Sequence, residues 1–306
     1  MTRAGRAGLL PIPLRPRLAP ARPERGYSPP SIRTRLNSAA YPLTAIVSDL
    51  HGNRQALDVA LGDAAARGAE RLVCLGDVVG YGARPAECLE RVIHLTRGGA
   101  ERGAGGRTWA PGLCLLGNHE HALLDSAVDF NPRARAAIEW TRGEVQAHPR
   151  SAELWNFLGG LSASGLDARA HFAHGSPRDP LREYVLPTDL NHPARLAGWF
   201  SAMQRPVCFV GHSHVPAVYY EDRRFFRPRG TEGPYRLGAS EQLKVLINVG
   251  SVGQPRDGDP RLSYVLFDGA NVTFVRLDYD IAGAQADIRA VPALSETLAQ
   301  RLESGR

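Results

Sequence analysis

Cysteine is scarce in this chain of 306 residues: there are four, with no C-x-x-C spacing among them. That argues against a disulfide framework or a thiolate zinc site as the organising feature. Cys74, Cys114 and Cys208 each lie inside an apolar run, and Cys88 falls in a helical pattern, so all four read as buried thiols in a reducing, cytoplasmic setting. Long apolar runs are missing as well. No stretch approaches the ~18 to 20 residues of a membrane-spanning helix, and Leu9 to Leu14 is short and interrupted by Pro11 and Pro13. Positive charge is present, but not where it would make a binding face. The formal net charge is +6, yet residues 1 to 36 hold eight arginines against Glu24 alone, a formal +7 that leaves the remainder near −1. The ordered part is nearly neutral, which gives no reason to expect a nucleic-acid partner.

What is there divides near residue 40. Residues 1–40 are an Arg- and Pro-rich tail, with seven prolines in the first 36 positions and no helical or strand period. Such a segment cannot bury enough apolar surface to offset chain entropy and is expected to be disordered. From Tyr41 onward, short Val/Ile/Leu runs alternate with helical patterns, as in a layered α/β domain. Strands are expected at Leu43–Ser48, Arg71–Leu75, Leu113–Leu116, Ala168–Ala173, Val207–Val210, Lys244–Val249, Ser263–Phe267 and Val272–Leu277. Helices are expected after Asn53, over Pro85–His94, from Asn131-Pro132 to about His148, and from a Ser151 cap through Leu158. Gly98 to Gly112 reads as a connection too polar and flexible to form an element. One catalytic domain over 41–280 and a helical extension over 281–306 complete the expected organisation.

Five of the strands run into metal-binding or polar residues: Ser48-Asp49-Leu50-His51-Gly52, Gly76-Asp77, Gly117-Asn118-His119-Glu120, His174-Gly175 and Gly211-His212-Ser213-His214. Strand carboxyl ends are where open α/β sheets build sites, so these groups should meet at one rim. Oxygen and imidazole donors without thiolate suit Mn, Fe, Ni or Zn. On an extended segment, Asp49 and His51 point the same way and can grip one ion. His212 and His214 repeat that spacing and can serve neighbouring ions. Two ions a few ångströms apart need a shared anionic ligand, and Asp77 is the candidate. Asn118 adds a neutral carbonyl oxygen. A lone histidine or a G-D turn would mean little by itself; the weight lies in five such elements in order, each at a strand end. His94, His121, His148, His171 and His192 fall outside them.

In this order the motifs D-x-H, G-D-x-x-G, G-N-H-[DE], a lone His and G-H-x-H resemble the calcineurin-like metallophosphoesterase superfamily over roughly Leu43 to Asp268. Gly76-Asp77-Val78-Val79-Gly80-Tyr81-Gly82 and Asn248-Val249-Gly250-Ser251-Val252-Gly253-Gln254-Pro255 are similar to its small bacterial phosphodiesterase and phosphatase branch. The resemblance implies a four-layer α/β/β/α sandwich of two mixed sheets flanked by helices. It implies two divalent ions, one on Asp49, His51, Asp77 and His214 and the other on Asp77, Asn118, His174 and His212. It further implies phosphate-ester hydrolysis by a metal-bridging hydroxide, with His119 as the catalytic residue that protonates the leaving oxygen or hydrogen-bonds the phosphoryl group. Glu120 stands where many members carry Asp, at a position expected to orient His119. Arg54 and Arg256 are candidate substrate-binding side chains. The substrate is expected to be a small phosphate ester or nucleotide, monoester or diester. A dinucleoside polyphosphate or a phosphoprotein are the alternatives within the class, and a binding module that has lost its metals is the alternative outside it. The sequence does not fix the oligomeric state.

Overall fold

Strands that are apolar at every position need cover on both faces, and the way they obtain it here decides where the polar strand ends meet. The computed structural model describes residues 41–100, 108–237 and 243–306; the Arg- and Pro-rich tail lies outside the described residues. In chain order the elements are β1 (Thr44–Val47), α1 (Arg54–Ala66), β2 (Arg71–Cys74), α2 (Pro85–Thr96), β3 (Ala110–Cys114), α3 (Asn118–Leu124), α4 (Pro132–Ala147), α5 (Ser151–Gly159), β4 (Ser164–Leu166), β5 (Ala170–Ala173), α6 (Pro193–Ala202), β6 (Val207–Val210), β7 (Ala217–Tyr220), β8 (Phe225–Phe226), β9 (Glu232–Arg236), β10 (Val245–Asn248), β11 (Leu262–Phe267), β12 (Asn271–Leu277), α7 (Ile281–Arg289) and α8 (Glu296–Ser304).

The strands form two mixed six-stranded sheets, in the orders β3-β2-β1-β11-β12-β9 and β4-β5-β6-β10-β7-β8. Strands β1, β2 and β3 are parallel, as are β5, β6 and β10, so three carboxyl ends in each sheet point to one edge. Side chains alternate along the strands with period two. Ile46, Val73 and Leu75 face the second sheet, where they meet Phe172, Phe209 and Ile247. Ala45, Val47, Leu72 and Cys74 face the other way, onto Leu57 and Leu61 of α1 and Leu89 and Val92 of α2. The far face of the second sheet, with Cys208, Val210 and Leu246, is covered by Leu196, Trp199 and Phe200 of α6. The result is the four-layer sandwich, helices outside and two sheets within. Helices α7 and α8 pack on one another through Ala284, Ile288, Leu298 and Leu302, with Ala137 of α4 in the same cluster. The four cysteines are buried and free. Among the described residues, no helix is long and apolar enough to cross a membrane.

Most of the expected elements appear within one or two residues of their expected ends. Asn53 caps α1 by accepting from the Ala56 amide at 3.1 Å, and Asn131 caps α4 through the Arg133 and Ala134 amides. Helix α5 begins at Ser151 itself, and Arg150 before it makes no side-chain cap bond. The third strand starts at Ala110, inside the segment expected to be a connection. Pro111 and Gly112 are tolerated there because β3 is an edge strand paired only with β2, across a register shift. A Cβ on Gly112 would lie 2.0 Å from the Leu72 carbonyl oxygen, so the glycine makes this close pairing possible. Elements β4, β7, β8, β9, α3 and α6 have no counterpart among those expected from the sequence.

Phe209 ties the two sheets together: its ring stacks on Phe172 at 5.9 Å and meets Phe267 edge-on at 5.0 Å. Phe209→Ala should cost about 3 to 5 kcal/mol in urea unfolding. Leu166→Ala, at a side chain 44% exposed, should cost under about 0.5 kcal/mol. Equal losses would show that the inter-sheet layer is not close-packed.

Candidate metal centre

The carboxyl ends of both sheets meet in a set of interlocked turns. The Asp49 amide donates to the Gly76 carbonyl (3.0 Å) and the His51 amide to the Asp77 carbonyl (2.9 Å), which binds the loop after β1 to the loop after β2. The loop after β10 closes the other side: Val252 and Gly253 donate to the carbonyls of Ser48 and Asp49, and the Ser251 hydroxyl donates to Asp49. A Cβ on Gly253 would lie 1.8 Å from the Leu50 carbonyl oxygen, so only glycine lets these chains approach. Asp49, His51, Asp77, His212 and His214 all have left-handed backbone, with φ between 48° and 62°. Asp49 and His51 therefore converge through two left-handed turns, not along the extended segment expected. Each such residue costs about 1 to 3 kcal/mol, and strain of this kind persists only where its surroundings over-determine it.

The side chains form two facing groups. In the first, Asp49 Oδ1 lies 3.2 Å from His214 Nε2 and 3.9 Å from His51 Nε2, and the two Nε2 atoms are 3.1 Å apart. In the second, His174 Nε2 lies 3.0 Å from Asn118 Oδ1, 3.1 Å from His212 Nδ1 and 3.4 Å from Asp77 Oδ2. The same Asp77 oxygen is 3.8 Å from His51 Nε2, so it belongs to both groups. Asp49, His51, Asp77, His174, His212 and His214 are each at most 4% exposed.

Every ring nitrogen on the far side is committed. His51 Nδ1 donates to the Val79 carbonyl (3.1 Å), His174 Nδ1 to Leu75 (3.1 Å), His214 Nδ1 to Gln254 and His212 Nε2 to Arg182 (3.3 Å). A carbonyl only accepts, so each of those nitrogens carries a proton, and in a neutral ring the inner nitrogen then presents a lone pair. Burial holds His51, His214 and His212 below the ordinary imidazole range, His212 at about 3. Two lone pairs then face each other 3.1 Å apart beside Asp49 Oδ1, a buried oxygen without a hydrogen-bond partner. Such a pocket calls for a cation. Burial works against charge on Asp49 and Asp77, but His214 beside one and His174 beside the other hold both carboxyls below their ordinary range. Burial also works against a charged His174, yet the Asp77 carboxylate outweighs it and raises the imidazole to about 9. In the cation-free chain a proton on His174 thus stands where the second group would hold a metal. The donor set and its committed outer nitrogens fit first-row divalent cations.

Glu120 does not orient His119. Its Oε2 accepts from the amides of Asp77 (2.8 Å) and Gly117 (2.9 Å) and its Oε1 from Val79 (3.0 Å). The extra methylene lets it span from the start of α3 to the loop carrying Asp77. Burial and the nearby Asp77 raise its carboxyl to about 7. His119 packs against Tyr81, Phe130 and His51, with ring centroids 4.5, 5.0 and 4.7 Å away. It lines an open cleft of about 210 Å³ with Asp77, Asn118, His212, His214, Tyr184 and Arg256. Arg54 is not brought there: it pairs with Asp58 one turn along α1 and lines a separate charged cleft with Glu87, Glu90 and Arg150. His121 lies one helical step beyond the cluster and lines a neighbouring hollow. Tyr81, Tyr184 and Phe130 are not among the residues the sequence points to, although Tyr81 stands inside one of the glycine-rich motifs.

A model of the calcineurin-like phosphoesterase superfamily domain matches residues 43–271. The chain belongs to that superfamily. The calcineurin-like phosphoesterase fold is shared with a metallophosphoesterase from Sphaerobacter thermophilus, 37% identical, with a TM-score of 0.71 over 87% of this chain and 100% of that one. A hypothetical protein from Pyrococcus horikoshii, 18% identical, matches in fold with a TM-score of 0.64 over 86% of this chain and 98% of that one. An uncharacterized protein of Methanocaldococcus jannaschii is 33% identical over 273 residues, which cover 86% of this chain and 98% of the relative.

Because a cation must displace the His174 proton, binding of Mn²⁺ near pH 7 should release about one proton per chain, measured by calorimetry in buffers of different ionisation enthalpy. Affinity should rise with pH and level off near 9, where His174 loses that proton unaided. Affinity unchanged over that range would contradict the arrangement.

Proposed function

We propose that this protein hydrolyses phosphate esters with two divalent cations, one held by Asp49, His51, Asp77 and His214 and the other by Asp77, Asn118, His174 and His212. The observation that carries the reading is Asp77 Oδ2, common to both donor groups at 3.4 and 3.8 Å from their imidazoles. A shared carboxylate is what two closely spaced cations need to offset their repulsion. When bound, such cations would supply positive charge to the phosphoryl oxygens and lower the pKa of water, giving a hydroxide nucleophile at neutral pH.

The chain's own residues do the rest. Asp49 Oδ2 accepts the His212 amide (3.0 Å) and Asp77 Oδ1 the His119 amide (2.9 Å), so each carboxylate is fixed with its other oxygen turned inward. Glu120 clamps the Asp77 loop from behind. Arg256, held by the Gln254 side chain at 2.9 Å, turns its charge toward the cleft and meets the phosphoryl dianion. His119 is the proposed catalytic residue. Burial pushes its imidazole down to about 4, so at neutral pH it holds no stored proton to give away. A neutral ring still donates one N–H, and hydrogen bonding to the phosphoryl oxygens is the role this environment favours.

Two substitutions test the reading together, with metal content, KM and kcat followed for a nitrophenyl and an alkyl phosphate. Asp77→Asn should lose bound metal and most turnover. His119→Ala should keep the metal and lower kcat by about 10²- to 10³-fold for both esters alike. A much larger loss for the alkyl ester would assign His119 to leaving-group protonation. Metal loss in His119→Ala would make it a ligand, and full metal content in Asp77→Asn would sink the shared-carboxylate assignment.

A further inference from the structure

Tyr81 stands at a junction. One face of its ring closes on the donor cluster, 4.7 Å from the His51 ring and 4.5 Å from that of His119. Two guanidinium groups approach the same ring, Arg256 and Arg301, each with its central carbon 5.9 Å from the centroid. Arg256 comes from the loop after β10 and Arg301 from α8, which Leu298, Ala299 and Leu302 anchor against α7. Arg256 bonds the Gln254 amide, and its buried Nε has no partner. Arg301 gives its Nε to the Arg306 main-chain oxygen at 2.8 Å. Among the described residues, no side-chain carboxylate pairs with either. Burial and the Arg256 charge hold Arg301 below its ordinary range, so the two cations already repel each other.

Beyond Tyr81 lies a second cleft of about 660 Å³, lined by Arg133, Arg301, Arg306, Thr297 and Asn131. It joins the first at Tyr81, Asn131 and Ala134. Like charges brought together around one ring without side-chain carboxylates to pair them are stabilised by an anion between them. Guanidinium groups match a phosphate with two parallel N–H donors. We propose that the adjoining cleft is an anionic subsite, and that the substrate is a small molecule carrying a second phosphate group beside the one that is hydrolysed. This deepens the phosphoesterase reading and rests on it. It also gives α7 and α8, which follow the segment matched by the superfamily model, a part in choosing the substrate.

The test compares binding of AMP and ADP to the Mn²⁺-loaded protein by calorimetry. Wild type should prefer ADP, and Arg301→Ala should reduce that preference about tenfold, the worth of a charge-assisted hydrogen bond. Arg301→Lys, which keeps a positive charge, should retain most of it, and melting temperatures report whether α8 stays folded. An ADP-to-AMP ratio equal in wild type and Arg301→Ala would overturn the subsite. Hydrolysis of nitrophenyl phosphate by the same preparations keeps the two ideas apart. If it is absent while the ADP preference behaves as expected, the phosphoesterase reading fails and the subsite stands; if it is present and the preference is unmoved by Arg301→Ala, the subsite alone fails.

Discussion

Four imidazoles with their outer nitrogens tied to main-chain carbonyls and their inner nitrogens aimed into one cluster are the constraint on which the rest of this structure depends. In a cation-free interior that arrangement is unfavourable, because lone pairs 3.1 Å apart repel and a buried carboxylate oxygen goes without a donor. It becomes favourable when positive charge enters. The carbonyls that fix the rings come from the loops after β2, β5 and β10, so the tautomers are set by the fold and not by the histidines themselves.

That requirement accounts for features that would otherwise look costly. Left-handed backbone at five of the seven proposed donor residues is held by amide-to-carbonyl bonds among the loops after β1, β2, β6 and β10. Glu120, fully buried, accepts three main-chain amides from two loops and so replaces the ladder bonds lost where the strands end. The two sheets contribute unequally: the first supplies both carboxylates and the second the imidazoles of His174, His212 and His214. The inter-sheet layer around Phe172, Phe209 and Phe267 therefore also sets the distance between the ligands.

Much of this is legible in the sequence, for a physical reason. Fully buried strands leave unmistakable apolar runs, and a polar donor at the carboxyl end of such a run sits where a buried group must either bind something or be paired. The expected strand Val207–Val210 coincides with β6 to the residue, and the seven residues proposed as metal donors stand in the motifs that close the apolar runs. The rest depends on information a linear pattern does not carry. Strands β8 and β9 are short and partly exposed, with Gly233 and Pro234 inside β9, so they lack a strand signature. Helix α3 is hidden because its first turn is the G-N-H-E motif, whose residues read as ligands first. Arg54 attracts attention by its place in the chain after His51, but α1 carries it round to Asp58. Arg301 lies 220 residues from Tyr81 in the chain, and only tertiary packing brings them together.

The central claim is that two cations share Asp77. Anomalous diffraction from crystals grown with Mn²⁺ tests it directly. The account predicts two peaks about 3.5 to 4 Å apart, one beside Asp49, His51 and His214, the other beside Asn118, His174 and His212, with an Asp77 oxygen between them. A single peak, or two that leave Asp77 uncoordinated, would contradict it.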